Sequence, residues 1–182
     1  MEYSFFSYLT VRCAMGGLRG PQIVMEDLSA VREKHKRQTI VFCSGAFDLI
    51  HVGHVLFFED CKKCGDILVV EVAHDALIIK NKGPERPVMN ESMRMKHVSA
   101  LKPVDYCFLD RPYDGYPLQF LGDVFRLLHP DVYVINTDTF DIPFRQRLAE
   151  EHGVSLIMLD RRCPPEFDNV STSSIIGKIA KM

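Results

Sequence analysis

Two histidines stand close together, just after an apolar run that ends in small residues. The run 39–43 reads Thr-Ile-Val-Phe-Cys, the turn that follows contains Gly45 and Ala46, and His51 and His54 flank Val52-Gly53. Small side chains let a phosphate approach the backbone, and a helix that begins there offers free N–H groups. Each imidazole can donate an N–H to a phosphoryl oxygen. We therefore predict a phosphate site here; the alternative is that one histidine caps the helix and the other packs in the core.

The elements that must position this turn alternate along the chain. Compact apolar runs rich in strand-forming residues predict strands at 39–43, 67–72, 106–109, 132–135 and 155–159. Helical spacing predicts helices at 26–34, 54–64, 90–101, 120–128 and 144–152, and a last helix that begins near 171–173. Residues 80–87 are predicted to form a polar loop, and Gly65 is expected to close the second helix. Because several strands are apolar on both faces, the pattern predicts an α/β domain with a doubly wound, mainly five-stranded parallel sheet.

Composition restricts the class of protein. A chain of 182 residues, 47% apolar and 25% charged, is typical of one globular domain. A formal net charge of −2 predicts no nucleic-acid or membrane partner, and no run approaches the roughly twenty apolar residues that span a bilayer. Six cysteines are too few for a disulfide framework, so we expect reduced thiols and a cytoplasmic location. We assign 1–21 to an N-terminal extension and 22–182 to the domain.

A family resemblance is carried by motifs spread over most of the chain. Residues 42–54, FCSGAFDLIHVGH, resemble the signature of the cytidylyltransferase-like nucleotidyltransferase superfamily. The similarity continues, in order, through KGPERPV at 82–88, VDY at 104–106, PDVYV at 130–134 and VSTSSII at 170–176. Within the superfamily, the chain is most similar to the adenylyltransferases that act on D-glycero-β-D-manno-heptose 1-phosphate. The resemblance implies an enzyme with the Rossmann-like, HIGH-type nucleotidyltransferase fold.

The resemblance also implies a reaction and a set of residues. An acceptor phosphate would attack the α-phosphorus of a nucleoside triphosphate and release pyrophosphate, with Mg²⁺ as cofactor, no direct protein ligand to the metal, and a homodimer as the assembly. The implied catalytic residues are His51, His54 and Lys82. Phosphates of the acceptor or nucleotide would bind Lys82, Arg86 and Arg94; the alternative for Arg94 is a surface pair with Glu91 on the same helix. The implied nucleotide-binding residues are Gly45, Ala46, Phe47, Asp48, Gly53, Asp138, Ser171, Thr172 and Ser173. Because a carboxylate does not bind phosphate directly, Asp48 is expected to organise the turn or the Mg²⁺ shell.

The substrates stay open at this point. The segment 166–169 lacks the arginine of glycerol-phosphate cytidylyltransferases, which favours ATP over CTP. Ile135-Asn136-Thr137-Asp138 stands where the heptose branch has Lys-Gly-Gly-Asp, which leaves the acceptor undecided. One alternative is a CTP-dependent cytidylyltransferase that acts on a small phosphorylated alcohol or phosphonate, and another is a non-catalytic nucleotide-binding module. For Cys61 and Cys64 we expect structural packing rather than a zinc site, because no second pair lies at ligand spacing.

Overall fold

The computed structural model describes residues 22–112, 115–116, 118–161, 164–167 and 170–182. Its strands are β1 (Gln22–Ile23), β2 (Ile40–Gly45), β3 (Ile67–Val72), β4 (Tyr106–Leu109), β5 (Val132–Asn136) and β6 (Ser155–Leu159). Its α-helices are α1 (Leu28–Lys34), α2 (Val52–Lys63), α3 (Asp75–Lys82), α4 (Glu91–Ser99), α5 (Phe120–Leu128), α6 (Ile142–Glu151) and α7 (Thr172–Ile179). The predicted extension 1–21 lies outside the described residues. In the part of the chain that is described, no helix is long and apolar enough to cross a membrane.

The strands form one parallel sheet in the order β1-β4-β3-β2-β5-β6. The predicted doubly wound parallel architecture is confirmed, with a short sixth strand at the edge. Gln22 and Ile23 pair with Cys107 and Phe108, and two residues are too few to show a strand period. The strand order reverses beside β2, which has β3 on one side and β5 on the other. In such sheets the crevice above the carboxyl ends at this reversal is where ligands bind.

Each face of the sheet packs against its own helices. Ile40 and Phe42 of β2 belong to a core that includes residues of α1, α5 and α6. Val41 and Cys43 belong to a second core that includes residues of α2 and α4. This alternation follows from the two-residue period of a strand. Consequently α2 and α6 stand on opposite faces of the sheet, and the crevice above β2 and β5 lies between their ends.

Helix α3 corrects the predicted loop at 80–87. His74 caps this helix by accepting the Ala76 N–H at 3.2 Å, and the helix continues to Lys82 before Gly83 turns the chain with a φ of 90°. Only one side chain of the helix, Ile78, is buried, so it carries no apolar stripe for the sequence pattern to reveal. Lys82 therefore lies at a helix end and not within a loop.

Gly65 follows α2 as predicted, but for a different physical reason. The expected left-handed conformation is absent, because among the described glycines only Gly83 and Gly153 have a positive φ. A Cβ on Gly65 would instead lie 2.7 Å from Val41 Cγ2 and 2.9 Å from the Thr39 carbonyl oxygen. The position requires glycine because the end of α2 passes directly over the start of β2.

Candidate active site

A cleft of about 350 Å³ opens above the carboxyl ends of β2 and β5, at the reversal of the strand order. Its volume is within the range of small-molecule sites, about 300–1,000 Å³. All the predicted site residues except Arg94 line it: Gly45, Ala46, Phe47, Asp48, His51, Gly53, His54, Lys82, Arg86, Asp138, Ser171, Thr172 and Ser173. The structure thus gathers segments from four parts of the chain into one site. The contacts of these residues with substrate stay predictions.

The turn between β2 and α2 is tightly folded. Phe47 and Leu49 have φ angles of 47° and 48°, a left-handed conformation that side chains other than glycine rarely adopt. The ring of Phe47 folds back so that a Cβ on Gly45 would lie 2.9 Å from its Cζ. The Phe47 side chain is buried against the Phe58 ring of α2, with 4.8 Å between the ring centroids. Packing of this ring in the core holds the strained turn in place, and glycine at position 45 makes room for it.

His51 and His54 lie in parallel planes at the start of α2. Their ring centroids are 3.9 Å apart and the planes differ by 26°. His51 caps the helix, because its Nδ1 accepts the Gly53 N–H at 3.2 Å, so the neutral ring carries its proton on Nε2. His54 meets the Phe47 ring edge-on at 5.6 Å. One histidine therefore caps and the other packs, as the alternative interpretation had it, and both also line the cleft.

Burial keeps both imidazoles neutral. It is the largest cause of the lowered pKa of His54, which is about 3, and the neighbouring His51 and Arg161 contribute to the same shift. The pKa of His51 is also lowered, first by burial and then by Arg161. Among the described residues nothing bonds to the buried Nδ1 of His54. Two preorganised neutral N–H donors, and not two imidazolium ions, face a ligand here.

Asp48 organises the turn, which is the role expected from its charge. Its side chain is buried, and its Oδ2 accepts from the Val88 N–H at 2.9 Å and from Arg86 Nε at 3.2 Å. Its Oδ1 accepts from the Met89 N–H at 3.0 Å. Thr172 Oγ1 in turn donates to the Asp48 carbonyl at 2.8 Å, which ties the start of α7 to the turn. Asp48 therefore joins three segments that border the cleft, through its carboxylate and its backbone carbonyl, and its carboxylate oxygens are occupied.

The prediction for Arg94 is wrong in both of its forms. The side chain is fully buried and lies outside the cleft lining, so it is neither a phosphate ligand nor a surface partner of Glu91. Its guanidinium donates to Asp75 at 2.7 Å and to the Ala73 carbonyl at 2.6 Å. It also donates to the carbonyls of Ala46 and Met89. Arg94 therefore holds the ends of β2 and β3 against α4, because these carbonyls have no strand partner there.

Within the described part of the chain, four cations and four carboxylates line the cleft: Lys82, Arg86, Arg145 and Arg161, and Asp48, Asp60, Asp138 and Asp160. Lys82 lies at the rim, and its pKa is lowered by burial and by the nearby Arg86. Arg161 crosses the opposite rim and pairs with Asp138 at 2.7 Å, an exposed contact. Asp138 is therefore placed at the site but is engaged by an arginine. Burial is the largest cause of the lowered pKa values of Lys82 and the two histidines, and the charge of Arg161 lowers all three as well. A bound anion would favour the charged form of each group.

Helix α7 begins at the cleft with its N-terminal N–H groups. Ser171 caps it by accepting the Ser174 N–H at 3.1 Å, and Ser174 Oγ accepts the Ser171 N–H at 2.8 Å. Thr172 and Ser173 also line the cleft. A capped N-terminus still carries the positive end of the helix dipole, so capping and phosphate binding are compatible.

Sequence reasoning missed residues on the α6 side of the cleft. Arg145 of α6 and Ser44 of β2 both line it, and Tyr133 of β5 lies between them. Arg145 Nη1 donates to the Tyr133 hydroxyl, whose oxygen is 3.3 Å from Ser44 Oγ. No local signal marks Arg145, because an arginine on a helix is usually solvated and nothing in its own neighbourhood indicates a partner on β5.

A buried carboxyl pair lies below this cluster. Glu71 of β3 and Asp110 after β4 are almost fully buried and contact each other. The pKa of Glu71 is raised well above its usual value by burial and by Asp110, and that of Asp110 is raised to about 6 by burial. One oxygen of each, Oε1 and Oδ2, has no donor among the described residues. Since two carboxylates repel, Glu71 retains a proton and shares it with Asp110.

The four cysteines within the described residues, Cys43, Cys61, Cys64 and Cys107, are free. Cys61 is buried beside Cys43 in the core, and the Cys64 thiol donates to the Asp60 carbonyl at 3.4 Å within α2. Both positions therefore pack as expected, and no group of three or more His, Cys, Asp or Glu gathers for a metal in the described part of the chain.

Comparison with known proteins agrees with this geometry. A bifunctional protein HldE from Syntrophotalea carbinolica is 33% identical over 148 residues, which cover 81% of this chain and 28% of that protein. The chain thus spans less than a third of the length of this relative. A FAD synthase from Aciduliprofundum boonei is 35% identical over 140 residues, which cover 76% of this chain and 89% of that one.

Solved structures show the same fold. The lipopolysaccharide core biosynthesis protein from Thermoplasma volcanium has a TM-score of 0.58 at 29% identity and covers 69% of this chain and 99% of its own. A pantoate-β-alanine ligase from Francisella tularensis has a TM-score of 0.57 at 14% identity, covers 89% of this chain and 79% of its own, and shows likeness of fold alone. The family model for cytidylyltransferase-like proteins matches residues 42–178, from the middle of β2 to the end of α7. The histidine turn, the cleft above it and these matches agree, and the chain belongs to the cytidylyltransferase-like family of nucleotidyltransferases.

Proposed function

We propose that the protein transfers a nucleoside monophosphate, preferably AMP from ATP, to the phosphate of a small acceptor and releases pyrophosphate. The proposed acceptor is a sugar 1-phosphate such as heptose 1-phosphate. The similarity to HldE supports this choice over the part of that protein that matches. The similarity to a FAD synthase supports adenylyl transfer, because the named product contains an adenylyl group.

The stacked pair of neutral histidines at the start of α2 carries the proposal. An oxygen of the acceptor phosphate forms a bond to the α-phosphorus, and the bond from that phosphorus to the α,β-bridging oxygen breaks, so that its electron pair leaves with pyrophosphate. Negative charge grows on the oxygens around the α-phosphorus during this step. Nε2–H of His51 is a fixed donor for these oxygens, and Lys82 and Arg161 supply positive charge at the rims. The N-terminus of α7 is placed to receive the departing phosphates.

We propose that Mg²⁺ arrives bound to the triphosphate. The buried carboxylate of Asp48 is occupied by Arg86 and two backbone N–H groups, and Asp138 is occupied by Arg161. These contacts favour a metal held by phosphate oxygens and water, without direct carboxylate ligands. Such an ion neutralises charge on the β- and γ-phosphates. Homodimer formation and a cytoplasmic location stay predictions that rest on the resemblance.

The test is pyrophosphate release from ATP or CTP with a panel of acceptors that includes heptose 1-phosphate, glucuronic acid 1-phosphate, glycerol 3-phosphate, 3-phosphoglycerate and FMN. We expect release with ATP and one acceptor of the panel, and a loss of about 10²–10³-fold in kcat for His54→Ala, the usual effect of removing one preorganised donor. His97→Ala, an exposed histidine of α4, is the matched control and should leave the rate unchanged. Release with CTP alone would favour the cytidylyltransferase alternative. Nucleotide binding without release for any acceptor would favour the non-catalytic module.

A further inference from the structure

Arg145 is a buried cation on the cleft wall that forms no ion pair within the described residues. Only 7% of its surface is exposed, and among the described residues no carboxylate lies within the 4.0 Å of an ion pair with it. The other buried arginine, Arg94, pairs with Asp75, and the half-buried Arg86 pairs with Asp48. Because a buried charge is normally paired, Arg145 stands out among the arginines around the site.

None of the nearby acidic groups in the described part of the chain forms an ion pair with Arg145. Glu71 is close enough to interact electrostatically with Arg145, but burial and Asp110 raise the pKa of Glu71, so that it stays protonated and neutral. Asp138 is engaged by Arg161. Asp141, at the start of α6, accepts the Phe144 N–H at 3.2 Å and the Tyr116 hydroxyl, and its charge interacts with Arg145 without forming an ion pair. The positive charge of Arg145 is thus available to a ligand in the cleft.

The protein orients Arg145 without using all its donors. Nε donates to the Phe140 carbonyl at 2.9 Å, and Nη1 donates to the hydroxyl of Tyr133, which is fully buried. Burial raises the pKa of Tyr133, so the phenol keeps its hydrogen and can donate it to Ser44 Oγ. A guanidinium has five N–H donors, and both on Nη2 have no acceptor among the described residues. In this arrangement the guanidinium is held in place by Phe140 and Tyr133, and its free N–H groups can bind an anion.

The two sides of the cleft would bind different anionic groups of the substrates. The histidine pair and the N-terminus of α7 stand at the ends of helices that begin beside Asp48, whereas Arg145 projects from α6 on the opposite face of the sheet. The triphosphate supplies the negative charge for the side that holds the histidine pair and the N-terminus of α7. The base and ribose of a nucleotide carry no negative charge, so they provide no counter-ion for Arg145.

We propose that Arg145, held by Tyr133, binds a second anionic group of the acceptor, separate from the phosphate that attacks the nucleotide. The acceptor is then a phosphorylated acid, for example a sugar 1-phosphate that also bears a carboxylate. This inference rests on the proposed nucleotidyl transfer and keeps a sugar 1-phosphate as the acceptor class, but it replaces heptose 1-phosphate, which has no second anionic group, by an acidic sugar phosphate. A second phosphate would offer the same chemistry as a carboxylate, and a bisphosphate probe distinguishes the two.

Matched probes test this in the wild-type protein. Glucuronic acid 1-phosphate and glucose 1-phosphate differ only by a carboxylate in place of a primary alcohol, as do 3-phosphoglycerate and glycerol 3-phosphate. Calorimetric titration without nucleotide should show the carboxylate member of at least one pair binding about 10- to 100-fold more tightly, the effect of a charged hydrogen bond to a buried partner. Glucose 1,6-bisphosphate binding more tightly than either sugar probe would assign the second group as phosphate. If no probe with a second anionic group binds more tightly than its neutral counterpart, the inference is overturned.

Variants then locate the preference. Arg145→Gln should remove the tighter binding of the carboxylate probe, and Arg145→Lys should retain part of it. Arg147 is an exposed arginine of the same helix, so Arg147→Gln should leave the preference unchanged. The KM for the nucleoside triphosphate should change less than twofold in each variant. A rise in that KM with an unchanged acceptor KM would place Arg145 in the nucleotide site and contradict the proposal. Equal pyrophosphate release with each carboxylate probe and its neutral counterpart would refute the inference, while the proposed function would stand. Tighter binding of a carboxylate probe without any pyrophosphate release would refute only the proposed function.

Discussion

Replacing Asp48 with alanine should destabilise the protein by about 2–4 kcal/mol. The side chain is 1% exposed, and its two oxygens accept from Arg86, from the Val88 N–H at 2.9 Å and from the Met89 N–H at 3.0 Å. Alanine leaves two backbone donors and one guanidinium without their acceptor. Each buried donor left unsatisfied costs about 1–3 kcal/mol, and partial exposure of Val88 places the sum in the lower part of the range.

Urea unfolding at pH 7 measures this change. The chain has no tryptophan, so far-UV circular dichroism is the appropriate signal, and linear extrapolation yields the free energy of unfolding. Glu33→Ala is the control, because Glu33 forms an exposed pair with Lys36 and its loss should cost less than about 1 kcal/mol. A change below 1 kcal/mol for Asp48→Ala would refute the reasoning, since the turn would then hold its shape without the carboxylate.

Two further predictions concern packing and pH. Gly65→Ala should destabilise the protein by about 1–3 kcal/mol in the same unfolding assay, because the added Cβ would lie 2.7 Å from Val41 Cγ2. Gly122→Ala in α5 should stabilise the protein by about 0.8–1 kcal/mol, because the added Cβ would have no atom within 4 Å. Equal effects of the two substitutions would contradict the close approach at Gly65. The raised pKa of Glu71 means that the folded state holds its proton more tightly, so wild-type stability should fall as pH rises above the usual Glu value of 4.5 and through the folded pKa. Glu71→Gln has no proton to lose, so its free energy of unfolding between pH 5 and pH 9 should fall less steeply, and parallel curves would show that the pair holds no shared proton.

Much of the fold could be predicted from local pattern. The strands at 67–72, 106–109 and 155–159 have the predicted bounds, and so does the helix at 120–128. In each case the apolar residues follow one period, and burial on the sheet follows that period. The misses are elements with no such stripe: β1 has two residues, and α3 buries one side chain.

The histidine turn could also be predicted, because its chemistry is local. His51 and His54 lie within one helical turn, and the small residues before them are adjacent in the chain. The helix that begins there fixes the spacing of the two rings, so their stacking follows from the local sequence. The residue types and their spacing therefore located the centre of the site.

The positions of two arginine side chains could not be predicted from the local sequence. The family resemblance predicts that Arg94 is a phosphate ligand, yet its guanidinium is buried and donates to the Ala46 carbonyl, 48 positions away in the chain. Arg145 stands in no motif, yet Tyr133 and the end of β2 place it on the cleft wall.

By itself, the sequence determined the alternation of strands and helices, the parallel sheet and the position of the paired imidazoles, since each depends on residues that are neighbours in the chain. Tertiary structure alone decided which cations face the cleft, that the Glu71 carboxyl shares a proton with Asp110, and that α2 and α6 border the cleft from opposite faces. The physical reason is that the ionisation and direction of a long side chain depend on burial and on partners tens of residues away, which exist only once the sheet has assembled.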